Sequence, residues 1–190
     1  MGRKLPARVH IVTASATATQ NVVTALNRAG VHVDDTVFEA LACADSVLQT
    51  DERELGVCLV DVGAGSTDLI VYYEGVVIHT GAIPIGGDHF TNDVGVGFRT
   101  PLPDAESIKK MFGCAIVTRI PEGNEIEVPS VGDRPARMMQ QRMLGEILEP
   151  RGRELMEMLR DHLRHAGMDE LLGAGLVFTG GGLRLNRLLE

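Results

Sequence analysis

The chain has 190 residues, 44% hydrophobic and 23% charged, with a net charge of −8; these values suit a folded globular protein and exclude disordered and fibrous classes. The acidic balance and the lack of a long Lys/Arg block argue against a nucleic-acid partner, which needs a basic stripe. No stretch approaches the roughly 18 apolar residues of a membrane span, and the basic start is followed by no signal-like apolar run, so a cytoplasmic location is expected.

Residues 9–13 form a short β-branched run that predicts a buried strand, and 17–28 place Ala18, Val22, Val23 and Leu26 at helical spacing. Gly30 marks the stop, and 31–37 read as a strand or extended connector. The small-residue run within 38–48 suits a helix packed closely on a neighbour. Next come an apolar strand at 57–60, a Gly-rich turn at 61–66, a strand at 67–73, a Glu74-Gly75 hairpin turn and a strand at 76–83. Helices are expected at 88–98 and 104–111, followed by strands at 115–120 and 125–131 across a turn at 122–124. After Arg134-Pro135 a helical pattern runs to Ala166 with Pro150 inside it, which predicts a kink near Glu149 or two successive helices. A last strand at 176–179 enters Gly180-Gly181-Gly182 and a final helix. Strands and helices mix throughout, giving an α/β class.

The 22 glycines cluster at Gly63 to Gly65, Gly86-Gly87 and Gly180 to Gly182, where backbone-lined turns are expected. The segment from Asp61 to Asp68, DVGAGSTD, sets glycines between two strands with a carboxylate at the end of the first. Glycines let N–H groups approach a phosphate, Ser66 adds a hydroxyl, and Asp61 can hold a hydrated Mg²⁺ that bridges phosphate oxygens. No Lys follows the glycines and a strand comes next, so neither the Walker A pattern nor the dinucleotide fingerprint applies. A tight hairpin with a solvated Asp is the plain alternative. Thr179-Gly-Gly-Gly182 after an apolar strand repeats the arrangement and raises the odds of a ligand.

Cys43, Cys58 and Cys114 lie far apart without CxxC spacing and read as buried thiols. The six histidines show no metal-ligand spacing and read as surface or supporting groups. Met138, Met139 and Met143 suit an adaptable interface or the core.

Asp61–Asp68 and Thr179–Gly182 resemble the phosphate-2 loop (DxGGGTxD) and adenosine motif (TGGG) of the sugar kinase, heat-shock chaperone and actin superfamily. Within it the wording is closest to the FtsA family of bacterial cell-division proteins, through residues 54–63, 83–88, 100–115, 127–132 and Arg134-Pro135. The resemblance implies an actin/ribonuclease H-like domain, a mixed sheet flanked by helices, with a small α+β subdomain, as part of a longer two-domain protein. Residues 1–37 would end the first domain, 38–89 hold the connecting helix and first part of subdomain 2A, 90–160 form subdomain 2B, and 161–190 return to 2A.

The resemblance further implies ATP and Mg as cofactors. Gly63, Ala64, Gly65, Ser66, Gly180, Gly181 and Gly182 would face the nucleotide, Glu106 and Lys109 the ribose and adenine, and Asp61 the metal through water. Glu39 would be the candidate general base. Ala64 stands where the commonest pattern has Gly, which restricts the loop if that position needs positive φ. Hydrolysis is expected to be slow at most, and absent from this half of the cleft alone. The implied role is a cytoskeletal protein that self-associates into filaments and links FtsZ to the membrane at the cytoplasmic face of the division septum, with membrane contact made by a part not in this sequence. Arg134, Arg137, Met138 and Arg142, on and before one helix, would capture the FtsZ C-terminal tail. A sugar-kinase-type phosphotransferase and a nucleotide-free scaffold stand as alternatives.

Overall fold

The computed structural model describes residues 9–132 and 134–190. Helix α1 (Ala16–Arg28) starts at Ser15, whose hydroxyl accepts the Ala18 N–H, and buries no residue. Helix α2 (Glu39–Val47) turns Ala40 and Ala44 inward, and α3 (Thr50–Leu55) opens on a reciprocal cap between Gln49 and Glu52. Then follow β1 (Val57–Val62), β2 (Thr67–Tyr73), β3 (Val76–Ile83), α4 (Gly87–Phe98), α5 (Leu102–Phe112), β4 (Glu125–Val128), β5 (Arg137–Gln140), α6 (Gln141–His165) and β6 (Gly175–Thr179).

The main sheet has the order β3-β2-β1-β6, with β1 antiparallel to β2, β2 antiparallel to β3, and β1 parallel to β6. Strand β1 is apolar at nearly every position because both its faces are covered. Cys58, Val60 and Val62 join α4 and α6 in the larger core, together with Phe98, Leu144 and Leu148. Val57 and Leu59 face the other way, against Ala40 and Ala44, whose small side chains let α2 lie close to the sheet. The β4–β5 hairpin contributes Ile126 and Val128 to that larger core, so residues 90–160 share one apolar interior with the sheet. An Asp93–Arg151 ion pair at 2.7 Å fastens α6 to α4.

Several expectations need correction. Residues 9–13 are not a strand: they are largely exposed, and no described strand offers them a ladder; of the two readings for 31–37, the connector holds and the strand does not. Residues 115–120 form a 3₁₀ turn at Val117–Arg119, because the Glu149 carboxylate takes the Val117 N–H at 2.8 Å and draws the segment onto α6. The following strand stops at Val128. Arg137 to Gln140, expected as helix, is strand β5, since pairing with β4 satisfies its backbone. Helix α6 is one continuous helix through Pro150, in place of two; the Glu146 carbonyl gives up its usual donor there, while packing of Leu144, Leu148, Leu155 and Leu159 holds the turns on both sides. After β6 the chain makes a 3₁₀ turn, Gly181–Arg184, in place of a longer helix.

Candidate functional site

The parallel register sets Asp61 opposite Thr179, so the turns after β1 and β6 stand side by side beyond the carboxyl ends of two parallel strands. Open α/β sheets bind ligands in that position. Gly63 N–H donates to the Ser66 carbonyl at 2.9 Å and tightens the first turn. The start of α4 butts onto it: Gly87 N–H donates to the Gly63 carbonyl at 2.9 Å and Asp88 N–H to the Ala64 carbonyl at 2.8 Å. A Cβ on Gly86 would collide with the Ala64 carbonyl, which explains the glycine there. Ala64 itself is not among the described residues with positive φ, so its methyl imposes no backbone strain. On the β6 side Gly180 has φ +101, and any side chain on it would strike the Asp61 carboxylate and the Val62 carbonyl.

These turns form one wall of a cleft of about 670 Å³, and α5 forms another. Gly63, Ala64, Glu106, Lys109 and Gly180 to Gly182 all line it, so the structure brings together most of the residues expected at the site. Gly65 and Ser66 lie outside the lining; the Ser66 hydroxyl turns back to Asp68 at 3.2 Å. Gly87, from the Gly86-Gly87 cluster, also lines the cleft, as do Lys110 and Arg184, which were not among the expected site residues. Lys110 was within reach of the sequence reading, standing four residues from Glu106 on the same helix. Arg184 carried no motif of its own.

Glu106 is the charged centre of this wall. Burial raises its pKa, but hydrogen bonds from Lys109, Thr91 and Lys110 outweigh that and pull it down to about 2. Lys109 lies 2.6 Å from Glu106 Oε2, and Lys110 lies 3.0 Å from Oε1.

Asp61 is half-buried, and the Cys43 thiol donates to its Oδ2 at 3.1 Å. That hydrogen bond, then burial and the charges of Asp61, Glu39 and Asp68, push Cys43 up to about 11, so the thiol stays protonated. Glu39 is exposed on the first turn of α2, one turn before Cys43, and does not line the cleft. Among the described residues no group of three or more His, Cys, Asp or Glu side chains could hold a metal by itself. Asp61 itself does not line the cleft; its carboxylate lies next to Gly180, whose turn does. One carboxylate there fits Mg²⁺, which keeps several waters and leans on one protein oxygen plus phosphates.

The four expected partner residues fall before and at the start of α6. Arg137 and Met138 lie on β5, Arg142 begins α6, and Arg134 is exposed in the connection before β5. The Arg137 guanidinium donates to the Phe98 carbonyl, and Arg142 pairs with Glu122 at 3.1 Å. Met138 is 61% exposed, while Met139 leans on the core.

Solved structures share the architecture. MreB5 of Spiroplasma citri bound to ADP matches at TM-score 0.69 and 18% identity, covering 91% of this chain and 56% of that one. A PilM–PilN type IV pilus biogenesis complex matches at TM-score 0.69 and 20% identity, over 90% of this chain and 43% of the other. The fold is therefore that of the actin-like ATPases. Within that class, the profile of the family described as cell division protein FtsA matches residues 58–187. FtsA of Pseudomonas aeruginosa is 46% identical over 189 residues, and FtsA of Escherichia coli K12 is 42% identical over 194. The chain belongs to the FtsA family. It spans 45% of the length of the Pseudomonas relative and 46% of the Escherichia coli one.

Proposed function

We propose that this sequence is the second nucleotide-binding half of a full-length FtsA-type division protein, and that its cleft takes MgATP. The convergence of the Gly63–Ala64 turn, Glu106 and the Gly180–Gly182 turn on one cleft of about 670 Å³ carries this reading. Glycine turns suit phosphates, and a carboxylate held ionised suits the hydroxyls of a sugar. Bound Mg²⁺ would neutralise phosphate charge, with Asp61 orienting its water shell. Titration of MgATP into the full-length protein tests this. Asp61→Ala weakens binding by tenfold or more on this account, and Asp68→Ala, whose carboxylate is turned to Ser66, weakens it far less; equal losses refute the assignment of Asp61.

Nucleotide occupancy would act as an assembly switch, with slow turnover, in filaments that hold FtsZ near the membrane. Among the described residues no helix is long and apolar enough to cross a membrane. The FtsZ tail would dock beside exposed Met138 and Arg134. With Arg137 and Arg142 already partnered, Arg134 carries more of the charge recognition than those two. A fluorescent tail peptide checks this: micromolar or looser binding is expected, weakened by Arg134→Glu.

A further inference from the structure

Residue Thr91, on the second turn of α4, is 7% exposed and meets both charged groups of the α5 wall. Its hydroxyl donates to Glu106 Oε2 and accepts from Lys109 Nζ at 2.7 Å. Lys109 Nζ also donates to the Gly87 carbonyl at 2.8 Å and to Glu106 Oε2 at 2.6 Å. An ammonium has three protons, and all three are taken by the protein. The Lys109 side chain is only 11% exposed, so water does not compete for them. Lys110 differs: its side chain is 69% exposed and pairs with Glu106 Oε1.

Gly87 is the junction. Its carbonyl holds Lys109 and its N–H holds the Gly63 carbonyl, so the chain Glu106–Thr91–Lys109–Gly87–Gly63 links the α5 wall to the first glycine turn. We propose that Thr91 is a positioning residue, which together with Lys109 fixes the Glu106 carboxylate and ties it to the Gly63–Ala64 turn. This rests on the cleft being a nucleotide site.

The experiment is a double-mutant cycle on MgATP affinity in the full-length protein. Thr91→Val keeps the shape and removes the hydroxyl; it weakens binding about tenfold, and Thr91→Ser restores it. In a Glu106→Ala background the same Thr91→Val change costs less than about threefold, because the carboxylate that Thr91 acts through is gone. Lys109→Met, which removes the pin from the other side, shows the same dependence on Glu106 and keeps the test open if Thr91→Val fails to fold. Equal losses in both backgrounds, or failure of Thr91→Ser to rescue, overturn the proposal. If the unsubstituted protein binds no MgATP, the nucleotide reading itself falls and takes this inference with it.

Discussion

Neighbouring glycines in the same turn system have different physical reasons to be glycine. Gly86 has the Ala64 carbonyl where a Cβ would go, whereas nothing lies within 4 Å of that position at Gly65. Gly86→Ala is therefore expected to cost about 2–4 kcal/mol in denaturant unfolding, and Gly65→Ala less than about 0.5 kcal/mol. Glu106 adds a pH signature. Its folded pKa of about 2 lies below the ordinary value of 4.5, so its contribution to stability is fully present above 4.5 and is lost as pH falls towards 2. Acid titration of Glu106→Gln should be flatter than wild type across that window, and an unchanged curve contradicts the geometry. The sequence showed Glu106 and Lys109 as a helical pair. It did not show Thr91, because that contact exists only once α4 packs on α5.

Elements stabilised locally were the legible ones. The three meander strands and helices α1, α2, α4 and α5 were readable from periodicity, Gly-rich turns and hairpin signals. Strand β5 was not, since Arg137 to Gln140 lacks alternation and owes its shape to pairing with β4. The 3₁₀ turn at Val117 likewise depends on Glu149, 32 residues away. Helix α6 anchors the core through Leu148, which is fully buried, and Leu148→Ala should cost about 3 kcal/mol by thermal or chemical unfolding. At its far end α6 meets edge strand β3, where His79 Nε2 lies 3.0 Å from His162 Nε2. Burial, then the charges of His162 and His10, lower the His79 pKa from 6.5. Above 6.5 both folded and unfolded forms are neutral; as pH falls through 6.5 the unfolded chain takes a proton that folded His79 resists, and stability drops. His79→Gln should remove part of that acid sensitivity, measured as the melting temperature on either side of 6.5.

At the scale of the whole molecule, the parallel pairing of β1 with β6 organises everything else. It brings a turn near residue 63 beside one near residue 181, and it sets α4 and α5 against them so that backbone amides and a charged wall surround one opening. The two glycine motifs were visible in the sequence, but their adjacency is a property of the sheet order β3-β2-β1-β6. The stretch at 9–13 is not the strand its β-branched run predicts, because such a run forms a strand only where a neighbour supplies its ladder. The central claim is that this opening is one wall of a nucleotide site. A crystal structure of the full-length protein with a non-hydrolysable MgATP analogue tests it most directly. The sugar and base should lie beside Glu106 and the phosphates against Gly63, Ala64 and the Gly180–Gly182 turn; an analogue bound elsewhere, or these turns left without contact to it, would contradict the nucleotide site.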